Sequence, residues 1–289
     1  MIMHSTPTSA EDTFHAFWRS LLVADWEQPD GQLRLSADLK LTDFAGADFF
    51  VNTRVFLAAL AEADGVPATA TGNLPRAFVR QILDRLVLSK PFRDSVFHVC
   101  KAINEQDVWP LHLVRLVSGC AGLAGRRKKF FRLTKTGRAL LPDEQAGALY
   151  RKLFIAYFRR FDLHYDFCLR DVPGIQDTMA VILWRLDTIA RDWTPVQGLA
   201  PQILLPGVLD QMHIAMTYAH DTEEWILTGY VLDPLFDFGL IERQELSEWP
   251  SLTKKDKIRI TPLWRKFIGF AFGVPAASGG PATPRTGIS

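Results

Sequence analysis

Cysteine is nearly missing from this chain. Three of its 289 residues are cysteine, at the widely separated positions Cys100, Cys120 and Cys168. An odd, scattered set excludes a disulfide framework and reads as a reducing compartment with mostly buried thiols. No apolar run approaches the roughly 18 residues of a membrane span. The first twelve residues lack the charged start and apolar stretch of a secretory signal. The cytoplasm is therefore the expected location, with no membrane partner. Net charge is only +1, so the chain as a whole makes no electrostatic case for a partner. Catalytic motifs are missing too. There is no Gly-x-Ser-x-Gly elbow and no His-Glu-x-x-His helix. Gly122-Leu123-Ala124-Gly125 is too short for a phosphate loop and lacks its Lys-Ser/Thr ending. His164-x-Asp166-x-Cys168 and His98-x-Cys100 space possible ligands by two, but no second pair completes a zinc site. His213 and His220, seven apart, have no partner at matching spacing. No catalytic residue, metal or cofactor is expected, and the chain does not read as an enzyme.

What the chain does have is an uneven distribution of charge. Residues 1–64 carry 4 Lys/Arg against 10 Asp/Glu, residues 65–170 carry 19 against 8, and residues 171–289 carry 10 against 14. A basic middle between acidic flanks either meets an anionic partner or is neutralised by its own flanks in the fold. Apolar periodicity predicts helices over 13–23, 48–61, 107–118, 143–161, 176–191, 208–218 and 223–237. A further helix follows the break Thr71-Gly72-Asn73-Leu74-Pro75, with Pro75 in its first turn and Arg80–Asp84 spaced to pair weakly. Leu33, Leu35, Leu39 and Leu41 allow a short strand or extended segment. Residues 194–207, with three prolines, read as a loop or broken turns.

One motif occurs twice. Gly122-Leu123 leads through a basic turn to Phe131-Arg132-Leu133-Thr134-Lys135-Thr136-Gly137-Arg138, and the stretch runs on to Leu141. Gly239-Leu240 leads through a turn ten residues longer to Ile258-Arg259-Ile260-Thr261-Pro262-Leu263-Trp264-Arg265, running on to Ile268. Each copy alternates before the threonine as a strand does. It then switches to helical spacing, with the threonine hydroxyl placed to accept an orphan N–H of the first turn. The expected architecture is mainly α (α+β), with two winged-helix-like units whose short β-hairpins are embedded in a helical body. Residues 1–12 form a flexible start, 13–170 the first helical segment and unit, 171–273 the second unit, and 274–289 a disordered tail.

The Gly-Leu strand, basic turn and Leu-Thr-x-x-Gly-Arg helix start resemble the wing region of the multiple-antibiotic-resistance-type regulators. The stretch from Ala70-Thr71-Gly72-Asn73-Leu74-Pro75-Arg76 to the 143–161 helix is similar to bacterial proteins related to the plasmid open-reading-frame-3 group. Some of those carry a Cys-rich metal-binding tail; this chain has none, so no metal function carries over. The first resemblance implies that the helix before the Gly-Leu strand enters the major groove. Here that helix offers His112, Arg115 and Ser118. The corresponding helix of the second copy offers Glu223, Glu224, Thr228 and Asp233, whose carboxylates repel phosphate.

The candidate nucleic-acid-binding set is therefore Arg126, Arg127, Lys128, Lys129, Arg132, Lys135 and Arg138 on the hairpin, with His112 and Arg115 behind it. Such a hairpin either contacts phosphates and releases their counterions or is a solvated turn that keeps an edge soluble. Two functions follow. One is a non-enzymatic nucleic-acid-binding or regulatory protein, with double-stranded DNA a weak and mostly non-specific partner. The other is a protein-interaction or structural module that meets another protein through 223–268. Whether Arg151, Lys152, Arg159 and Arg160 extend the basic surface, or acids of the N-terminal segment cover them, discriminates the two.

Overall fold

The computed structural model describes residues 17–165, 170–218, 220–244 and 252–271. The expected flexible start, the disordered tail, the His164-x-Asp166-x-Cys168 spacing beyond Tyr165 and the tip of the longer turn lie outside those residues. The chain is mainly helical with small antiparallel sheets, the class its periodicity predicts.

Residues 17–22 are helical. Strand β1 (Leu33–Leu35), helix α1 (Asp48–Glu62) and strand β2 (Val66–Pro67) follow. Next come α2 (Arg76–Leu83), α3 (Lys90–Val99) and α4 (Trp109–Cys120), then the hairpin β3 (Ala124–Arg127) and β4 (Phe130–Leu133), then α5 (Lys135–Leu140). Helix α6 (Ala146–Ile155) runs on into a π-helical turn, Ala156–Arg160. The second half contains α7 (Pro173–Asp177), α8 (Met179–Ile189), β5 (Thr194–Pro195), α9 (Ala200–Ile203) and α10 (Pro206–Ala215). It continues with α11 (Glu223–Leu227), a π-helical turn (Thr228–Leu232) and α12 (Asp233–Asp237). Hairpin β6 (Ile241–Gln244) and β7 (Lys257–Ile260), helix α13 (Pro262–Phe267) and β8 (Ile268–Phe270) close the order.

The strand pairing and the threonine caps repeat in the two halves. Strands order as β2-β4-β3 in the first half and β5-β7-β6 in the second. Ala124 pairs with Leu133 where Ile241 pairs with Ile260, and Pro67 sits opposite Phe130 where Pro195 sits opposite Lys257. Each proline lies on an outer strand of its sheet, where its missing N–H costs little. Gly122 and Gly239 end the preceding helices at φ +66° and +71°, a conformation glycine adopts without a Cβ penalty. The Thr134 hydroxyl accepts from Gly137 N and donates to the Gly122 carbonyl at 2.7 Å. The Thr261 hydroxyl accepts from Trp264 N and donates to the Gly239 carbonyl at 2.8 Å. One side chain thus caps a helix and closes the hairpin behind it.

An aromatic cluster joins the halves. Tyr150 is fully buried and donates to the Phe238 carbonyl at 2.7 Å. Phe154 meets Phe238 and Phe267 edge to face, and Phe49 stacks on Phe238 with centroids 4.9 Å apart. Such pairs add to the area each ring buries. Strand β1 pairs with β8, Leu33 opposite Phe270, which joins the first described strand to the last.

Several elements differ from the sequence expectation. The second copy's last helix ends at Phe267, and Ile268 starts a strand because β1 offers it a ladder. Helix α3, capped by Ser89 with Pro91 in its first turn, was not among the helices expected, although Phe92, Val96 and Val99 recur at helical spacing along it. Strands β2 and β5 are two residues long, too short to alternate. Pro75 is the N-cap of α2 rather than a residue of its first turn. Asp84 pairs with Arg93 at 3.4 Å, not with Arg80, because α3 brings that guanidinium alongside. Cys120 is exposed at the end of α4 and Cys100 half-buried, where buried thiols were expected.

Candidate nucleic-acid interface

The tip of the first hairpin is built from Lys128 and Lys129, both left-handed, with φ of 49° and 67°. Two consecutive residues of that hand make the tight turn whose twist suits a two-residue hairpin. Lysine pays roughly 1–2 kcal/mol per residue for it, where Asn-Gly would not. Arg126, Arg127, Lys128, Lys129 and Lys135 are all exposed. Among the described residues, none of these five has a carboxylate partner.

Arg132 and Arg138 differ. Their guanidinium groups lie 3.9 and 3.8 Å from one carboxylate oxygen of Asp64, itself at φ 46° beyond α1. At such distances and exposures the pairs are weak, but they set an acid beside the base of the hairpin. Arg126 leans on the Thr71–Asn73 loop: a Cβ on Gly72 would fall 2.6 Å from its Nη1.

Behind the hairpin, α4 is not a free helix. Leu111, His112, Leu113, Val114, Val117 and Ser118 are buried, and only Gly119 and Cys120 at its end are exposed. His112 and Arg115, expected to face outward, instead converge on Glu105, whose side chain is fully buried. His112 Nδ1 lies 2.6 Å from Glu105 Oε1, and Arg115 Nε donates to the same oxygen. Leu74 N donates to the other oxygen at 2.5 Å, and His112 Nε2 lies 3.1 Å from the Tyr165 hydroxyl. Burial by itself raises the Glu105 pKa. Hydrogen bonds from His112, Leu74 N and Arg115 together overcome it and hold the carboxyl below its ordinary value. This cluster fixes α4 against the segment that leads into α2 and against the turn at 163–165. His112, Arg115 and Ser118 were assigned outward because spacing alone cannot show that the 156–165 segment covers that face.

The second unit repeats the anchor with other residues. Asp221, just before α11, accepts from Thr217 N and Tyr218 N, both at 2.9 Å. Arg170 grips it with two nitrogens, at 2.9 and 3.1 Å. The Arg170 hydrogen bonds and those backbone donors outweigh burial and hold its pKa down at about 2. Its hairpin is unlike the first. Where Arg132 faces Gly125, Arg259 faces Glu242 across the ladder and donates to it at 2.9 and 2.7 Å. Arg259 also stacks on Trp193, 4.6 Å from the ring centre.

The neighbouring basic cluster is partly paired with the acidic flank, though Arg159 and Arg160 remain exposed. Arg151 donates to the carbonyls of Trp26 and Glu27, Arg160 pairs with the Glu27 carboxylate, and Arg159 lies over the Trp26 ring. The acidic flank thus neutralises part of the basic middle, Glu62–Arg85 included. The hairpin tip is left out of that neutralisation. Glu105 and Asp64 were missed as partners of these cations. The signal for the first was Asn104-x-x-Asp107, which closes the turn that aims Glu105 inward, with Asn104 N donating to Asp107 at 2.7 Å.

Residues 45–148 match the family model of the Y4jL N-terminal domain, a stretch that runs from just before α1 to the start of α6 and so contains the whole first hairpin. No curated protein and no solved structure matches the chain. No helix among the described residues is long and apolar enough to cross a membrane.

Proposed function

We propose that the chain is a non-enzymatic nucleic-acid-binding or regulatory protein that grips the phosphate backbone through the hairpin 125–138. One observation carries this: five exposed cations, four on the hairpin and Lys135 at the start of α5, have no carboxylate partner among the described residues. The element order around them, with its three-stranded sheet, supports reading the unit as winged-helix-like, with a hairpin similar to the wing region of the multiple-antibiotic-resistance-type regulators. The buried face of α4 argues against base reading by His112 and Arg115. Contact is then through the wing alone, and phosphate contacts position without specifying sequence. Double-stranded DNA is the proposed partner, bound weakly and with little sequence choice, in the cytoplasm. The second unit, 223–268, serves as scaffold, with its Arg259 held by Glu242 across the ladder.

Titration of double-stranded DNA with the full chain at two salt concentrations tests the reading. Binding at low salt that falls steeply with added salt, alike on unrelated sequences, is expected. Absence of binding at low salt overturns it and leaves the hairpin a solvated edge.

A further inference from the structure

A cavity of about 600 Å³ opens where the two units meet. The first half of α4 forms one wall with Trp109 and Leu113, and the helix running from Glu223 to Asp237 forms another. Both π-helical turns of the described residues contribute to it, 156–160 through Tyr157 and 228–232 through Gly229. A π-turn interrupts the regular helical ladder and occurs often at functional sites; here two converge on one cavity.

Its lining has a definite chemistry. Aromatic surface comes from Phe49, Phe92, Trp109, Tyr157 and Phe236. Three carboxylates, Asp48, Asp233 and Asp237, stand against one guanidinium, Arg243. Asp233 accepts from Leu252 N at 2.9 Å, and Arg243 lies over the Phe236 ring at 5.6 Å. The Asn52 amide is spent on the Val87 backbone, donating at 2.9 Å and accepting at 2.7 Å. Asp48 opens α1, and among the described residues no side chain donates to it. Burial raises its pKa above the ordinary value, and a cation placed against it would favour the charged form.

We propose that this cavity binds a small organic cation, an ammonium group on an aromatic or aliphatic body. The ammonium sits against Asp48 within reach of the aromatic faces, where cation–π attraction adds to the ion pair, and the apolar body fills the rest. A mostly apolar pocket with a few convergent polar groups is the usual form of such a site. This stands apart from the hairpin's role, since Asp48 and the cavity take no part in phosphate contact.

The experiment is calorimetric titration of the full chain, without nucleic acid, with three probes of one skeleton: phenethylammonium, phenethyl alcohol and 3-phenylpropionate. Phenethylammonium is expected to bind about tenfold or more tighter than 3-phenylpropionate, with the alcohol between. Asp48→Asn is expected to weaken phenethylammonium about fivefold and leave the alcohol unchanged. Its melting temperature, which a purely structural role would lower, is expected to stay at the parent's. Equal binding of the three probes, tighter binding of the carboxylate, or no binding by any overturns the proposal. So does a folded Asp48→Asn chain that holds the ammonium as well as the parent. Should that variant fail to fold, the order of the three probes on the parent decides alone.

Discussion

The two hairpins share a backbone and differ in charge. Gly122/Gly239, Thr134/Thr261 and the pairing of Ala124/Ile241 make the same bonds in both. Gly125 faces Arg132 in one, while Glu242 faces Arg259 in the other. The supporting framework, a left-handed glycine, a capping threonine and a three-stranded sheet, leaves the outward positions of the hairpin to vary. One copy places four exposed cations without a carboxylate partner there, while the other holds Arg259 in an ion pair with Glu242 beside the exposed Lys254, Lys255 and Lys257. Scaffold and surface are separable here, and the following expectations probe each half of that statement.

The largest expected effect separates the two glycines. Gly122→Ala places a Cβ in open space and suffers only the left-handed backbone, a loss of roughly 1–2 kcal/mol. Gly239→Ala suffers the same strain and also drives a Cβ to 2.8 Å from the Gly46 carbonyl oxygen, where backbone must move. It is expected to cost about 3 kcal/mol or more. Denaturant unfolding of the two variants checks this; equal losses would mean that the halves do not meet at this turn.

Thr134→Ala and Thr261→Ala are expected to cost about 1 kcal/mol each and nearly the same, because each removes one cap and one hairpin closure. A difference well beyond about 1 kcal/mol in chemical denaturation would break the equivalence of the copies.

Acid sharpens the comparison of the anchors. Glu105 and Asp221 both have pKa values depressed by folding. Their stabilisation is present above the unfolded values and is lost as pH falls through the folded ones. For Asp221 that window runs from 3.8 down to about 2. Asp221→Asn is expected to flatten the stability-against-pH curve there, measured as melting temperature. A curve as steep as the parent's would exclude Asp221 as a source of acid lability.

The smallest effect concerns the tip. Lys129→Gly relieves a left-handed lysine and is expected to stabilise by about 0.5–1 kcal/mol, while removing one phosphate contact. Loss of stability in thermal unfolding would show that the turn is not strained as its φ of 67° implies.

Much of this fold was legible because its determinants are local. The Gly-Leu strand, the alternation before Thr134 and Thr261 and the apolar stripes of α1 and α6 all depend on near neighbours. What escaped depends on distant chain. Ile268 is a strand residue because Leu35 lies opposite it, 233 positions earlier. The two-residue strands exist only as additions to β4 and β7. The candidate interface divides the same way. The basic turn is plain in 125–138, and its exposure agrees with its composition. His112 and Arg115 carry the same charges on a helix face, but Glu105 and Tyr165 turn that face inward. Periodicity shows which residues share a face, not which face the rest of the chain covers.

The most direct test compares the two hairpins in one assay. Fluorescence anisotropy with labelled double-stranded DNA at low salt is measured for three proteins. These are the parent, Arg126→Ala/Arg127→Ala/Lys128→Ala/Lys129→Ala, and Lys254→Ala/Lys255→Ala/Lys257→Ala at the equivalent hairpin. The first variant is expected to lose most of its affinity on every sequence, with the slope of log K against log salt shallower by about 0.9 for each contact removed. The second is expected to bind as the parent does. Equal weakening by both variants, or a parent that does not bind, contradicts the claim that the first hairpin alone carries the contact.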